Sequence, residues 1–318
     1  MDASKVIAVL ENVAKSYNGT PALRGVSFDV KEGEIFGFIG PNGAGKTTTI
    51  KILVGLLTNF SGSVTVDGLA MPGRRFDLTR TIGYMPQDVA FQEWRTVDHA
   101  LETLGRLSGL DRTALAGRIP SVLEDVGLTD ARTKKIIHLS GGMVQKLGLA
   151  QALLHEPRFV VLDEPLSGLD PGSRIQTKTL LKRLRQAGTT VFFSSHILSD
   201  VQDVADRIGI IAKGRMLAVG TLEELKSRFS VGNVLEIILS RDAGTWKDVG
   251  AVPGVVRLER VEAGRLLLTF SPGVAEDEMI HLVTKNLIDE GNRIRSVRPL
   301  TPSLDELYAR LVEEGETT

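Results

Sequence analysis

A glycine-rich segment with the sequence GPNGAGKT, residues 40 to 47, could bind the phosphate groups of a nucleotide. It fits the pattern G-x-x-x-x-G-K-[ST], in which glycines let the backbone approach phosphate oxygens and successive N–H groups face the negative charge. We predict that Lys46 reaches the β and γ phosphates and that the Thr47 hydroxyl ligates Mg²⁺. The predicted phosphate-binding residues are Gly40, Pro41, Asn42, Gly43, Ala44, Gly45, Lys46, Thr47 and Thr48.

Two adjacent acidic residues, Asp163 and Glu164, follow an apolar run over residues 159–162. Doubly wound sheets bind ligands at the carboxyl ends of their strands, which is where these carboxylates would lie. There Asp163 would hold Mg²⁺ through its water shell, and Glu164 would polarise the attacking water. Taken alone, the segment is equally typical of a strand that ends in solvated acidic residues. The neighbouring phosphate loop favours the hydrolytic interpretation.

A second turn of small residues, LSGGM at 139–143, precedes a predicted helix over residues 144–154. Ser140, Gly141 and Gly142 could form another anion-binding turn at the start of this helix, although the chain has one phosphate loop only. Ser140 on its own is more typical of a plain helix N-cap.

Strands and helices alternate around these segments in the order of a doubly wound α/β core. Helical spacing of apolar residues over 96–154 predicts an inserted helical lobe at about residues 90–155. A hairpin over residues 207–219 and one further helix, which begins at Thr221, close this part. The predicted strands are residues 6–10, 26–30, 35–39, 64–67, 159–162 and 190–193, and the other predicted helices are 47–57 and 175–187.

We place a domain boundary near Ser230, which gives a first domain over 1–230 and a second over 231–318. In the second, strands are predicted at 234–239, 255–261, 266–270 and 293–297, with helices near Thr245 and at 276–288. That order could form a small ferredoxin-like α+β domain. Ser303 and Glu306 make a capping box that begins a last, amphipathic helix.

Six motifs, in this order and spacing, identify a resemblance to the ABC ATPase cassette over about residues 5–230. They are GPNGAGKTT, Gln87 in YMPQ, LSGGM, VVLDEP, SGLD at Ser167 to Asp170, and His196 after a strand. The resemblance implies a P-loop NTPase fold: a mixed, mainly parallel sheet with an antiparallel β subdomain and a helical lobe. It also implies ATP hydrolysis with ATP and Mg²⁺ as ligands.

In that family two cassettes pair head to tail, so that each ATP lies between the phosphate loop of one copy and the LSGG turn of the other. The resemblance therefore implies a homodimer, or a pair with another ABC subunit. In it Ser140, Gly141 and Gly142 would lie at the γ phosphate that the partner copy binds, and Asp170 would lie at the dimer contact.

Three further roles rest on the resemblance alone. Gln87 resembles the residue that senses Mg²⁺ and the attacking water, and His196 resembles the one that contacts the γ phosphate and positions that water. Tyr17 matches the aromatic residue that stacks on adenine, although an aromatic near a strand end is also typical of core packing.

Met143, the segment Gly83 to Gln87 and the appended domain are similar to the exporter subgroup that works with type-two ABC permeases, which includes drug, antibiotic and sodium exporters. An integral-membrane permease is therefore the implied partner, and the cytoplasmic face of the cell membrane the implied location. Phe91 and Trp94 lie where a permease helix would dock, and they are equally compatible with a docking surface and with burial.

The composition restricts the alternatives. Lys and Arg number 38 against 39 Asp and Glu, and aromatic residues are 5% of the chain, which argues against a nucleic-acid partner. There is no Cys, and no apolar run approaches the roughly 18 residues of a membrane span. Two rivals stay open: a soluble, non-transport ABC ATPase, and a nucleotide-binding scaffold without catalysis, which the complete set of motif residues disfavours.

Overall fold

The computed structural model describes residues 5–74, 78, 81–229, 234–241, 246–271 and 273–300. The chain divides into two compact units, with the division between Leu222 and Glu223. The last predicted helix, from Ser303, lies outside the described residues.

The first unit alternates strands and helices. Its strands are β1 (Val6–Tyr17), β2 (Thr20–Lys31), β3 (Ile35–Ile39), β4 (Ser61–Val66), β5 (Leu69–Met71), β6 (Ile82–Met85), β7 (Phe159–Leu162), β8 (Thr190–Ser195), β9 (Arg207–Ala212) and β10 (Arg215–Gly220). Its helices are α1 (Lys46–Leu53), α2 (Val97–Leu107), α3 (Arg112–Asp125), α4 (Gly141–Leu153), α5 (Pro171–Gln186) and α6 (Leu198–Gln202), and α7 (Leu222–Phe229) spans the division between the units.

The central sheet has the strand order β10-β9-β3-β8-β7-β6, and neighbouring strands are parallel except for the β9–β10 hairpin. Strands β3, β7 and β8 are buried along their whole length, as their unbroken apolar sequences predict. Their parallel direction brings the carboxyl ends of these three strands to one edge of the sheet. The phosphate loop and both acidic residues follow directly at that edge.

A second, antiparallel sheet has the order β2-β1-β4-β5. Strands β1 and β2 are longer than their apolar runs predict, since they continue as a hairpin to the turn at Asn18 and Gly19. Both turn residues have positive φ, 49° and 83°, which suits the predicted Asn-Gly turn. Phe28 of β2 stacks on Phe36 of β3, with ring centroids 5.4 Å apart, and so joins the two sheets through one core.

The helical lobe consists of α2, α3 and α4. The prediction of helix throughout residues 96–154 is wrong between α3 and α4, where the chain has only two 3₁₀ turns, Thr129–Ala131 and Ile136–His138. Gly127, at φ 69°, follows the end of α3, and a bridge between Thr96 and Lys135 ties this segment to the start of α2. Leu128, Ala131 and Ile136 are buried there, and their spacing of three and five residues also occurs on a helix face, which explains the wrong prediction.

The second unit contains β11 (Val234–Arg241), α8 (Lys247–Gly250), β12 (Val255–Glu262), β13 (Arg265–Phe270), α9 (Glu276–Asp289) and β14 (Arg293–Pro299). Its antiparallel sheet has the order β12-β13-β11-β14. This βαββαβ sequence of elements is the one that a ferredoxin-like domain shows. Alternate residues of β11, Leu235, Ile237 and Leu239, are buried in a core that includes Met279 and Val283 of α9.

Candidate active site

The phosphate loop joins β3 to α1 and depends on glycine at two kinds of position. Gly43 and Gly45 have φ of 80° and 109°, which disfavour any residue with a side chain. A Cβ atom at Gly40 would lie 2.3 Å from the carbonyl oxygen of Ile211, so this residue has no room for one. The Lys46 side chain curls back over the loop, and its Nζ donates a hydrogen bond to the Gly40 carbonyl oxygen at 2.8 Å.

One cavity of about 300 Å³ gathers the predicted loop residues with two side chains from other elements. Gln87, which lies two residues after β6, and Glu164, which lies two residues after β7, line it together with Lys46 and Thr47. The other lining residues are Ala22, Pro41, Asn42, Gly43, Gly45 and Thr48. The phosphate loop, Gln87 and Glu164 thus converge at the carboxyl edge of the central sheet.

Asp163 is a buried carboxylate with one oxygen bound and one oxygen unpaired. Ser194, in β8, donates a hydrogen bond to Oδ1 at 2.6 Å. The other oxygen, Oδ2, has no hydrogen-bond partner among the residues that the structure describes. Burial raises the pKa of Asp163 above its ordinary value, while the hydroxyls of Ser194 and Thr47 lower it in part. An unpaired carboxylate oxygen close to a threonine hydroxyl is a suitable pair of hard oxygen ligands for Mg²⁺.

Glu164 is held in place by contacts with Lys46, His196 and Ser194. Its Oε1 lies 3.2 Å from Lys46 Nζ, and its Oε2 lies 2.5 Å from Nδ1 of His196, which donates to the carboxylate. The backbone N–H of Glu164 donates to Ser194 Oγ at 2.9 Å. Glu164 has φ 54°, in the left-handed region that residues with a Cβ seldom adopt. The segment therefore does not end in solvated acids, because both carboxylates are buried.

Several predicted residues are not among those that line this cavity, namely Tyr17, Gly40, Ala44, Ser140, Gly141, Gly142, Asp163, Asp170 and His196. Tyr17 lies at the end of β1 with 45% of its surface exposed. Ser140 and Asp170 are exposed N-caps of α4 and α5, and their side chains accept hydrogen bonds from the N–H groups of Met143 and Ser173. Within one chain, the LSGG turn thus has the geometry of an N-cap.

Two residues that contact the site were not predicted. Ser194 bridges Asp163 and Glu164, and only its position two residues before His196 could have indicated it. Gln145, in α4, donates from Nε2 to the carbonyl oxygen of Glu164 at 3.2 Å. No local sequence signal predicts that contact, since the two residues belong to different elements.

Comparisons with known proteins agree with the geometry. The family model described as "ABC transporter" matches residues 23–167. The linearmycin resistance ATP-binding protein LnrL of Bacillus subtilis is 38% identical, with 95% of this chain and 96% of that protein covered. The daunorubicin resistance ATP-binding protein DrrA3 of Streptomyces coeruleorubidus is 33% identical, with 95% of this chain and 94% of that protein covered. The chain belongs to the family of ABC transporter ATP-binding proteins.

Solved structures of cassettes share the fold. The structure of an ATP-binding subunit of an ABC transporter has 29% identity and a TM-score of 0.66, and covers 71% of this chain and 94% of its own. The dimeric, post-hydrolysis structure of the cassette MJ0796 with ADP and Pi has 25% identity and a TM-score of 0.64, and covers 68% and 98%. This member of the family is thus an ATP-binding cassette of the ATP-hydrolysing type. Among its described helices, none has the length and apolar character that crossing a bilayer requires.

Proposed function

We propose that this cassette binds MgATP at its phosphate loop, pairs head to tail with a second copy, and hydrolyses ATP to drive export through a separate membrane permease. The observation that supports hydrolysis is the convergence of Lys46, Thr47, Asp163 and Glu164 at one edge of the sheet. Two of these residues belong to the phosphate loop and two follow β7. Together they offer a cation, a hydroxyl and two carboxylates, the groups that phosphoryl transfer requires.

The binding roles follow from the chemistry of each group. The loop N–H groups and the Lys46 ammonium offer positive charge to the β and γ phosphates. The Thr47 hydroxyl and Oδ2 of Asp163 would hold Mg²⁺, and Gln87 lines the same cavity as Thr47. The metal, when bound, neutralises charge that develops on the phosphate oxygens. Tyr17, exposed at the end of β1, is available to stack on adenine.

We assign Glu164 as the residue that polarises the attacking water. Its carboxylate contacts Lys46, so a γ phosphate that draws Lys46 away leaves Oε1 free to accept a hydrogen bond from water. His196 holds the other oxygen and fixes the direction of the carboxylate. The imidazole is also 42% exposed, which leaves part of the ring available to a phosphate in the cavity.

Dimerisation explains the residues that lie outside the cavity. Ser140, Gly141 and Gly142 present an exposed helix start, which favours an anion, and Asp170 is exposed on the loop after Glu164. The dimeric form of MJ0796 supports pairing of two copies in this fold. In such a pair the γ phosphate bridges two copies, so that hydrolysis removes the bridge and lets them separate.

Glu164→Gln tests this proposal, because the amide keeps the shape of the side chain and loses the basic oxygen. We expect the variant to bind ATP, to accumulate as an ATP-dependent dimer in size-exclusion chromatography, and to lose steady-state turnover. Normal hydrolysis by Glu164→Gln would refute the assignment. If the variant elutes as a monomer both with and without ATP, the proposed pairing is refuted.

The relatives support export as the direction of transport, since two of them are named for resistance to linearmycin and daunorubicin. A groove of about 520 Å³ between the core and α2 supports a permease partner. Leu56 and Leu107 line it and are 64% and 80% exposed, and Phe91 also lines it. The nearby Trp94 is 62% exposed, which favours docking over burial.

The alternative is a soluble ABC ATPase that has no permease. Affinity purification of the cassette from detergent-solubilised membranes of its own organism separates the two. We expect a multi-helix membrane protein at stoichiometric amount, and its loss when Trp94→Ala and Leu107→Ser are combined. Recovery of the cassette without any membrane protein would favour the alternative. With a permease bound, the cassette would lie at the cytoplasmic face of the membrane.

A further inference from the structure

Gln145 connects the helix that begins at the LSGG turn with the residue that we assign as the catalytic base. It lies in the second turn of α4, half-buried, five residues after the N-cap Ser140. Its Nε2 donates to the carbonyl oxygen of Glu164 at 3.2 Å. Both groups belong to the same chain, whereas the LSGG turn of that chain would face the nucleotide bound by the partner copy.

The backbone of Glu164 needs such contacts. A residue with a side chain stays at φ 54° only where its surroundings hold it there. Its N–H is held by Ser194 Oγ at 2.9 Å, and its carbonyl oxygen accepts from the Ser167 N–H at 3.1 Å and from Gln145. The Ser167 contact is local to the loop, whereas the Gln145 hydrogen bond ties Glu164 to α4 of the helical lobe.

A second contact ties the same helix to the far end of the loop that follows Glu164. Lys146 Nζ donates to Oε1 of Gln176, in α5, at 3.2 Å. Adjacent side chains of α4 therefore hold the start of this loop and the helix that follows it. Because α4 is a continuous helix, a shift of its N-terminus displaces both contacts together.

We propose that Gln145 is a positioning residue, which links the LSGG turn at one nucleotide site to the Glu164 carboxylate at the other. The link rests on the proposed head-to-tail pairing, since only in that arrangement does one chain contribute to both sites. When the γ phosphate on the partner copy contacts the Ser140 turn, that contact holds α4 in one position, and Gln145 then holds the backbone of Glu164 through its hydrogen bond. Each site then becomes competent in response to occupancy of the other, which is a coupling between sites.

The test is Gln145→Glu, which keeps the size of the side chain, removes the donor and sets a carboxylate against a carbonyl oxygen. Because Ser167 still pairs that carbonyl, we expect kcat to fall by about two- to tenfold, the range of one net hydrogen bond. The Hill coefficient for ATP should fall towards 1, with the KM and Kd for ATP unchanged and the thermal unfolding temperature lower by about a few degrees at most, the effect of one hydrogen bond. Gln145→Met, without donor or charge, should show the same changes more weakly.

Gln186→Glu is the matched control, since Gln186 is exposed at the end of α5 and should keep the wild-type kcat and Hill coefficient. Three results would overturn the proposal: wild-type kcat and cooperativity in Gln145→Glu, no cooperativity in the wild type, or a fall in kcat with the Hill coefficient unchanged. The Glu164→Gln result separates the two proposals. If Glu164→Gln is inactive and dimeric while Gln145→Glu is normal, only the role of Gln145 fails.

Discussion

Asp163→Asn should stabilise the cassette while it abolishes ATP hydrolysis. Asp163 is 1% exposed, and burial raises the pKa of its carboxyl group, so the ionised form is less favourable in the folded chain than in the unfolded one. Asparagine has the same shape and carries no charge. Its Oδ1 can keep the hydrogen bond from Ser194, and its Nδ2 would take the place of Oδ2, for which the described part of the chain offers no hydrogen-bond partner.

The expected gain comes from the desolvation of the carboxylate, the largest influence on its pKa, and from Oδ2, which has no hydrogen-bond partner among the residues that the structure describes. A buried polar atom that loses its water and finds no partner costs about 1–3 kcal/mol. The hydrogen bond to Ser194 is present in both proteins and cancels in the comparison. The attraction of Lys46 for Asp163 and the repulsion by Glu164 both disappear, and they act in opposite directions on its pKa. We therefore expect the free energy of unfolding to rise by about 1–2 kcal/mol at neutral pH.

The difference should depend on pH in a direction that the raised pKa determines. Because the folded chain holds the Asp163 proton more tightly than the unfolded chain, wild-type stability falls as pH rises from the ordinary value of 3.8 through the folded pKa. Above the folded pKa, the carboxylate is ionised and the full cost of burying its charge is present. The advantage of Asp163→Asn should thus be greatest at neutral pH and should shrink in acid, where the wild-type carboxyl group is protonated.

Urea unfolding of both proteins, followed by circular dichroism in EDTA without nucleotide, measures this difference. Asp170→Asn is the control, since Asp170 is exposed and asparagine caps a helix about equally well. Adding MgATP should stabilise the wild type and leave Asp163→Asn nearly unchanged, because binding to the folded state alone raises stability. Equal or lower stability of Asp163→Asn at neutral pH would refute the reasoning.

Two further predictions concern packing and charge. In Gly83→Ala, the new Cβ would lie 2.0 Å from the carbonyl oxygen of Ala152, so we expect the free energy of unfolding in urea to fall by about 3 kcal/mol or more. In the control Gly117→Ala, the new Cβ would have nothing within 4 Å, and the free energy of unfolding should rise by about 0.5–1 kcal/mol. In the second unit, hydrogen bonds from Arg298 and Arg265 lower the pKa of the buried Glu236, so its stabilising effect should be lost as pH falls through the folded pKa. Glu236→Gln should remove that acid dependence in urea unfolding at about pH 3.5 and pH 7.

The phosphate loop and the two carboxylates could be predicted because each depends on a short continuous segment. Glycines at 43 and 45 serve the local backbone, and the strand before Asp163 is buried along its length, so the sequence signal and the physical cause coincide. The fold class followed from the same alternation, and the solved cassettes confirm it.

The remaining contacts could not be predicted because they join segments far apart in sequence. Ser194 is 30 residues from Glu164, and Gln145 is 19 residues from it, so no local pattern connects them. The left-handed φ of Glu164 also lacks a signal, since glycine would have been the expected residue there. In the lobe, turns between α3 and α4 carry apolar residues at helical spacing, and tertiary packing overrides that pattern.

The unfavourable features of the first unit lie together, and this explains how hydrolysis can be tied to substrate binding. Asp163 has an oxygen that lacks a hydrogen-bond partner within the described ranges, Glu164 has a strained backbone, and Lys46 neutralises a carboxylate where a phosphate would bind. Residues that violate local rules mark functional sites, because ligand contacts offset their cost. A phosphate that draws Lys46 away would free Oε1 of Glu164, which now contacts Lys46 Nζ, to accept a hydrogen bond from water. If Glu164 is the base, as we propose, its carboxylate becomes free to act on water only after the phosphate has arrived.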